Sequence, residues 1–234
     1  MPGKLQLIAT PIGNLNDLSL RAIETLRLAD QVACEDTRHS GRLLQHHGLH
    51  RPLLSLTEHN EARRIPELLQ KLTDDKNIAL VSDAGNPTLS DPGQRLVHAA
   101  IHAGHEIEVI PGPSAVLTAL IGSGLPTVPF YFGGFLPHKK GQREKEVIAA
   151  MDRECTSLYF ESPYRLVDTL RMAATCRPDH RIVVARELTK MFEEFHRGSA
   201  QSVLEHYEST TPKGEIPLVI APRDLPNWMI RAEA

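Results

Sequence analysis

The chain has 234 residues and a mass of 26.0 kDa, which allows one large domain or two small ones. It contains 26 Lys and Arg and 29 Asp and Glu, which gives a formal charge of −3. This charge excludes a protein that coats nucleic acid through bulk positive charge. Any contact with RNA therefore needs a local basic patch. No apolar run in the sequence approaches the ~20 residues of a membrane helix. No secretory signal is visible, and the three cysteines cannot form a disulfide framework. We therefore expect a cytoplasmic protein.

The first half of the chain alternates apolar runs with helical patterns. The predicted strands are residues 5–10, 31–35, 78–82 and 107–110. The predicted helices are residues 18–29, 65–72, 96–101 and 114–121. This alternation predicts parallel strands joined by right-handed helical crossovers.

A stretch rich in glycine and proline, residues 122–137, interrupts this pattern and ends on an aromatic strand at 130–132. The alternation then resumes, with predicted helices at 142–153, 166–174 and 199–207 and predicted strands at 157–161, 182–185 and 216–220. We therefore predict an α/β protein with two α/β domains, residues 1–124 and 138–234, joined by a hinge at 125–137.

Three turns rich in glycine or proline follow predicted strands, at residues 10–14, 82–87 and 111–115. Ligands of open α/β sheets bind at the carboxyl ends of strands. Gly85 and Gly112 let backbone groups approach a ligand, Asp83 adds an acceptor, and Ser114 can cap the next helix. Any one of these could be an ordinary tight turn without a ligand. Three together favour a binding site.

Several familiar sites are absent from the sequence. It contains no GxxxxGK[ST] phosphate loop, no GxGxxG after the first strand and no GxSxG elbow. The pairs His46/His50 and His98/His102 have the i, i+4 spacing of zinc ligands on a helix, but no HExxH motif or obvious third ligand accompanies them. We interpret these histidines as solvent-facing and predict no metal site.

Two charged clusters directly follow apolar strands. One is Glu35-Asp36-Thr37-Arg38 with Arg42, and the other is the segment from Arg186 to Lys190, followed by Glu193 and Glu194. Catalytic groups concentrate on loops held by a rigid scaffold, so these are site candidates. A salt-bridge network that fixes two loops is the alternative.

These motifs together resemble a known family. The segments are TPIGNL (10–15), EDTRHSGRLL (35–44), SDAGNPTLSDPG (82–93), PGPSA (111–115), GFLP (134–137), FESPYRL (160–166), ARELTK (185–190) and KGE (213–215). Over residues 5–221 the chain resembles the tetrapyrrole methylases, a family of S-adenosylmethionine-dependent enzymes. Within that family it is most similar to the subgroup that methylates the RNA of the small ribosomal subunit.

The resemblance implies two α/β domains with S-adenosylmethionine in the cleft between them, and a homodimer. It further implies methylation of a ribose 2′-oxygen on a cytidine in the decoding region of 16S rRNA, within the 30S subunit. The cofactor-binding residues implied by motif are Pro11, Gly13, Asp83, Ala84, Gly85, Ser114, Ala115, Phe160, Glu161 and Pro217.

Methyl transfer to a hydroxyl needs in-line alignment and a route for the proton. Lys190 can accept the proton if burial or the neighbouring Arg186 favours its neutral amine. Asp36 or Glu35 can serve instead, and positioning alone is a further possibility. We expect Arg38, Arg42 and Arg186 to contact RNA. Further cations favour RNA if they converge: Arg63, Arg64, Lys139, Lys140, Arg143 and Lys145.

The sequence departs from the subgroup at three places. Asn86 stands where Thr is usual, and Pro217 lies in a strand that is otherwise apolar, which fits an edge or a ligand-facing position. The chain ends at Ala234, before a helical segment that relatives usually carry. Two other functions stay open. One is a sister methyltransferase acting on a tetrapyrrole or a protein side chain, and the other is a non-catalytic RNA-binding assembly protein.

Overall fold

The computed structural model describes residues 3–210, 212, 214, 216–226 and 229. It divides the chain into two compact units, Met1–Ser114 and Ala115–Ala234. Within the described residues, none of the helices is both long and apolar enough to cross a membrane.

The first unit is built on a parallel sheet. Its strands are β1 (Lys4–Ile8), β2 (Gln31–Cys34), β3 (Leu53–Ser55), β4 (Ile78–Val81) and β5 (Glu106–Ile110). They lie in the order β3-β2-β4-β1-β5, and every neighbouring pair is parallel, as predicted. The sequence analysis missed β3, because a strand of three residues directly after Pro52 is too short to produce a recognisable pattern.

Helices cover both faces of this sheet. They are α1 (Leu20–Leu28), α2 (Thr37–His46), α3 (Glu61–Thr73) and α4 (Gln94–His102). The helices α1 and α2 pack on one face through residues such as Leu26 and Leu43, while α3 and α4 pack on the other through residues such as Leu68 and Leu96. The connections leaving the adjacent strands β1 and β4 therefore lie on opposite faces. This pair of strands is the topological switch point, where ligands of open α/β sheets bind.

The second unit contains a mixed sheet in the order β6-β7-β10-β8-β9. Its elements are α5 (Ala115–Ser123), β6 (Phe130–Phe135), α6 (Lys140–Asp152), β7 (Thr156–Glu161), α7 (Pro163–Cys176), β8 (Arg181–Arg186), β9 (Glu194–Ser199), α8 (Ala200–Glu208) and β10 (Ile216–Ile220). Only β6 and β7 are parallel, and the remaining neighbours are antiparallel. The α/β class predicted for this half is present, but the strands mostly alternate in direction.

The boundary between the units lies before the predicted hinge at 125–137. The helix α5 packs against β8, β9 and β10, and the aromatic segment of the predicted hinge forms β6, an edge strand of the second sheet. Both segments therefore belong to the second unit. Glycine and proline mark a connection inside this unit and not the connection between the two units.

Pro217 lies in β10, which is the central strand of its sheet, so the expected edge position is wrong. Pro217 is buried and opposite Phe160 of β7. The ladder with β8 begins one residue later, at Leu218. The missing N–H of proline is tolerated here because the second neighbouring strand is not yet paired at this position.

Candidate functional site

The first two predicted ligand turns are joined by a backbone pair beyond the ends of β1 and β4. The Thr10 N–H donates to Gly85 O at 2.8 Å, and the Gly85 N–H donates to Thr10 O at 3.0 Å. Two buried hydroxyls strengthen this junction, since Thr10 Oγ1 donates to Ser82 O at 3.0 Å and Ser82 Oγ donates to Gly85 O at 3.1 Å. The turns at 10–14 and 82–87 are therefore held rigidly together at the switch point.

The third turn is tied to the same junction. Asn86 Nδ2 donates to Pro113 O at 3.1 Å. A Cβ on Gly112 would lie 3.0 Å from the Cβ of Ala9, and Gly85 has a φ of +79°, so neither glycine accepts a side chain without strain. The structure thus brings together the three turns that the sequence analysis selected.

The surfaces of these turns differ in exposure. Pro11 is buried, whereas Gly13 and Ala84 are exposed, and Ser114 is half-buried. Ala115 is the first residue of α5 and the first residue of the second unit. The exposed backbone of the turns is therefore available to a ligand at the carboxyl edge of the first sheet.

Asp83 connects this edge to the first charged cluster. Its side chain is half-buried, and one carboxylate oxygen, Oδ1, accepts the backbone N–H of Asp36 at 3.2 Å. The loops after β2 and β4 are therefore held together. Asp83 and the Glu35–Arg38 segment lie side by side because β2 and β4 are adjacent strands.

Asp36 is the N-cap of α2. Its carboxylate accepts the Arg38 N–H at 2.8 Å and the Arg38 guanidinium at 2.9 Å. These hydrogen bonds lower the pKa of Asp36 to about 2. A carboxylate that is this acidic and already paired is a weak proton acceptor, so the residue caps the helix and orients Arg38.

Glu35 has the opposite electrostatic environment. The pKa of its carboxyl group is raised, mainly by partial burial and to a smaller extent by repulsion from Asp83, Glu58 and Asp36. The residue is nevertheless exposed at the surface. Of the two acidic residues considered as a base, Glu35 is the stronger proton acceptor.

The second charged cluster forms a strained loop after β8. Glu187 and Thr189 have positive φ values of 50° and 65°, and the exposed Lys190 Nζ contacts Glu187 Oε1 at 3.0 Å. Arg186 forms an ion pair with Glu194. The burial considered for Lys190 is therefore absent, and the neighbouring Arg186 is paired with Glu194.

The KGE motif partly adjoins this loop. A Cβ on Gly214, whose φ is +81°, would lie 2.5 Å from Glu187 Oε1, so this position requires glycine. Lys213 and Glu215 lie outside the described residues.

Glu161 is a fully buried carboxylate with internal partners. It contacts Arg165 Nη2 at 2.6 Å and accepts from Thr169 Oγ1 at 2.7 Å and from the Ser162 N–H at 2.7 Å. Its side chain is therefore committed to the second unit. The ring of its neighbour Phe160 is half-buried and packs 5.2–5.3 Å from the rings of two other aromatic residues, Phe132 and Phe135.

The basic residues expected to favour RNA fall into different environments. In the first unit Arg38, Arg42 and Arg63 are exposed, while Arg64 is half-buried and pairs with Glu67. In the second unit, Lys139, Lys140 and Lys145 are exposed. Arg143 is only 4% exposed and donates to the Pro137 and His138 carbonyls, so it is a structural residue and not part of a basic surface.

A family model described as tetrapyrrole (corrin/porphyrin) methylases matches residues 4–204. The chain belongs to the tetrapyrrole methylase family. Relatives within this family carry the name ribosomal RNA small subunit methyltransferase I. The one from Synechocystis is 48% identical, over 97% of this chain and 82% of its own length, and the one from Thermotoga maritima is 41% identical, over 95% of this chain and 100% of its own.

Solved structures of other tetrapyrrole methylase-type proteins share the fold. A diphthine synthase aligns with a TM-score of 0.78 at 15% identity, covering 98% of this chain and 94% of that one. Uroporphyrin-III-C-methyltransferase from Thermus thermophilus aligns with a TM-score of 0.63 at 20% identity, with 94% of each chain covered. The predicted tetrapyrrole methylase fold is confirmed, and the protein is a methyltransferase.

The residues that hold the three turns together were not among the predicted site residues. Thr10 and Ser82 are polar residues directly after apolar strands, and Asn86 follows the glycine of the second turn. A buried hydroxyl at the end of a strand is a signal that could have identified the first two, since such a group requires a partner. Nothing local to the sequence indicates that Asn86 bonds a turn 27 residues away.

Proposed function

We propose that this protein transfers a methyl group from S-adenosylmethionine to the ribose 2′-oxygen of a cytidine in the decoding region of 16S rRNA. The observation that carries the proposal is the Thr10–Gly85 junction, which gathers three glycine-containing or proline-containing turns at the switch point of the first sheet. The relatives named ribosomal RNA small subunit methyltransferase I supply the class of substrate.

The residues of the first unit fit such a cofactor. S-adenosylmethionine presents an ammonium group, a carboxylate and ribose hydroxyls. Asp83 is an acceptor for a hydroxyl or the ammonium group, and the exposed backbones of Gly13 and Ala84 offer donors and acceptors close to the ligand. Gly85, whose N–H and C=O bond to Thr10, holds the second turn in place beside them. The cofactor set proposed here also includes Pro11, Ser114, Ala115, Phe160, Glu161 and Pro217. Because the carboxylate of Glu161 is occupied, we assign only its backbone to this role.

When bound, the cofactor supplies a methyl group on a positively charged sulfur. The ribose hydroxyl that would accept this methyl group must give up its proton to a residue of the protein. We assign that proton to the Glu35 carboxylate, whose pKa is raised. Asp36 holds the adjacent backbone in place, and Lys190 contacts the substrate from an exposed loop.

RNA phosphates are assigned to exposed arginines of the first unit. Arg42 lies on α2, one turn after Arg38, whose guanidinium is oriented by Asp36. Arg186 was expected to contact RNA as well. Because it pairs with Glu194, we propose instead that it stabilises the loop after β8. We further propose that the protein acts in the cytoplasm, as a homodimer, on assembled 30S subunits.

Transfer of a labelled methyl group tests the proposal. Labelled S-adenosylmethionine is incubated with the protein and either 30S subunits or free 16S rRNA, and label in the RNA is counted. The expected result is incorporation into 30S subunits that falls at least tenfold in Lys190→Ala and in Arg38→Ala. Wild-type rates in both variants would remove these residues from the mechanism.

The two alternative functions give different results in the same assay. Label in neither RNA but in a tetrapyrrole or a protein would support the sister activity. RNA binding without transfer to any acceptor would support a non-catalytic assembly protein.

A further inference from the structure

A cluster of three metal-ligand side chains lies in the second unit, outside the residues assigned to methyl transfer. The ligand atoms of Glu194, His196 and His206 all lie within 4.8 Å of one another. His206 Nε2 is 3.6 Å from Glu194 Oε1, and the two imidazole rings stack with centroids 3.9 Å apart. Among the residues that the structure describes, no other group of three or more His, Cys, Asp or Glu converges in this way.

Secondary structure fixes the positions of these side chains. Glu194 and His196 are two residues apart on β9, so they project from the same side of the strand. The helix α8 follows β9 directly and packs against it, which brings His206 to the same place. The buried Tyr207 ring meets both imidazoles edge to face, at 5.8 and 4.8 Å, and holds them together from within the core.

Glu194 is oriented by an arginine. Arg186 on β8 is opposite Glu194 in the sheet register, and its guanidinium contacts Oε2 of that carboxylate. The other oxygen, Oε1, is the one that faces His206. A ligand carboxylate with its second oxygen bonded to a neighbour is the usual arrangement around a bound metal.

We propose that Glu194, His196 and His206 form a binding site for one zinc ion. Two imidazoles and one carboxylate are ligands that zinc prefers, with a fourth tetrahedral position left to water. Ligand atoms about 2.0–2.2 Å from zinc lie about 3.3–3.6 Å from one another in a tetrahedral site. The ligand atoms of the three side chains lie within 4.8 Å of one another, so zinc binding requires the imidazoles to rotate about their side-chain bonds and close the remaining gap.

All three side chains are half-buried, which suits an ion that keeps one water ligand. The site would connect the first residue of β9 to α8 and, through Arg186, to the loop that carries Lys190. This inference does not depend on the proposed methyl-transfer activity, because no residue of the cofactor turns takes part.

The chain contains a matched control. His98 and His102 are also close, with ring centroids 4.1 Å apart, but both are exposed on α4 and no described carboxylate or cysteine completes a set of three. If two neighbouring imidazoles were enough, this pair would bind zinc as well as the proposed site does.

Zinc binding to the untagged, metal-stripped full-length protein tests the proposal. Calorimetric titration with zinc gives the stoichiometry and affinity, and titration with cobalt(II) reports coordination through visible absorption. We expect one high-affinity equivalent and a four-coordinate cobalt spectrum. Glu194→Gln, His196→Ala and His206→Ala should each weaken zinc binding at least tenfold, while His98→Ala/His102→Ala leaves it unchanged.

Circular dichroism establishes that each variant is folded. The His206 side chain is 35% exposed, so its alanine variant provides a second test of binding if His196→Ala does not fold. Absence of a stoichiometric equivalent in the wild type would overturn the proposal, as would wild-type affinity in His206→Ala. Loss of the equivalent only in the His98/His102 variant would overturn it too.

Discussion

Thr10 and Gly85 exchange backbone hydrogen bonds of 2.8 and 3.0 Å just beyond the last residues of β1 and β4. The helices that follow these two strands pack on opposite faces of the sheet. The bridge therefore spans the point where the connections diverge and the end of the sheet is open to a ligand. It fixes two turns relative to each other before any cofactor binds, which reduces the ordering cost of binding.

Gly85→Ala should weaken the binding of S-adenosylmethionine at least tenfold. A residue with a Cβ at φ +79° costs about 1–2 kcal/mol, and the new methyl group would lie 3.4 Å from Ile12 Cγ2. Calorimetric titration of the cofactor measures the effect. Gly104→Ala is the control, because Gly104 has a φ of +81° with nothing within 4 Å. It should lose similar stability and keep its cofactor affinity, and equal affinity loss in both would argue against the site.

Glu35→Gln should lower the rate of methyl transfer about 10²-fold or more, as expected on removal of a general base. The raised pKa of Glu35 predicts that wild-type activity falls with decreasing pH at a higher pH than the ~4.3 of an ordinary glutamate. The variant should lose this acidic limb. Rates measured between pH 4 and 9 give the comparison.

Two further measurements distinguish a catalytic role of Glu35 from a structural one: the stability of Glu35→Gln, and the pH profile of a variant at the neighbouring Asp36. A glutamate whose pKa is raised on folding contributes stability below its unfolded pKa and loses it as pH rises through the folded pKa. Glu35→Gln should therefore not be less stable than the wild type at pH 7. Asp36→Ala should lose about 0.5–2 kcal/mol of capping energy. It should keep the acidic limb but move it to lower pH, because the repulsion from Asp36 that helps to raise the pKa of Glu35 is removed. An unchanged pH profile in Glu35→Gln would mean that Glu35 is not the base.

Arg42→Ala should weaken binding to 30S subunits and reduce its dependence on salt. Loss of one phosphate contact lowers the slope of log K against log salt by about 0.7–0.9. Filter binding at salt concentrations between about 50 and 200 mM measures this slope. Arg27→Ala is a suitable control, since Arg27 is an exposed arginine paired with Glu24 near the end of α1. An equal slope in wild type and Arg42→Ala would remove Arg42 from the RNA contact.

Glu161→Gln should lower the free energy of unfolding by about 3–5 kcal/mol, because breaking a buried ion pair leaves an uncompensated charge. Glu161 is 0% exposed and contacts Arg165 at 2.6 Å. Urea denaturation measures the change. The surface pair of Arg171 with Glu208 serves for comparison, and Glu208→Gln should cost no more than about 1 kcal/mol. Similar losses in both variants would show that the Glu161 pair is not structural.

The first unit follows its sequence closely because each strand ends at a recognisable turn. The glycines and prolines after β1, β4 and β5 mark the three candidate turns without any knowledge of the fold. Strand order then brings Asp83 next to Asp36, as β2 and β4 are neighbours. Short-range pattern and parallel topology together are enough to bring the candidate turns and Asp83 to one edge of the sheet.

The structure of the second unit is harder to predict from its sequence, for a physical reason. Strand direction depends on long-range pairing, so the antiparallel neighbours of β10 cannot be read from local periodicity. The same limit hid the cluster of His196 and His206, which lie ten residues apart on a strand and a helix. In the sequence, only the histidine pairs four residues apart have the spacing of zinc ligands on a helix, and no metal site was predicted.

The most direct test of the proposed activity is nucleoside analysis of 16S rRNA. Unmodified 30S subunits are incubated with the protein and S-adenosylmethionine, the RNA is digested to nucleosides, and the methylated product is identified by mass spectrometry. The predicted result is 2′-O-methylcytidine, from one site in the decoding region, that is absent when the Gly85→Ala variant is used at a limiting cofactor concentration. A methyl group on a base, or no methylated nucleoside at any protein concentration, would contradict the account.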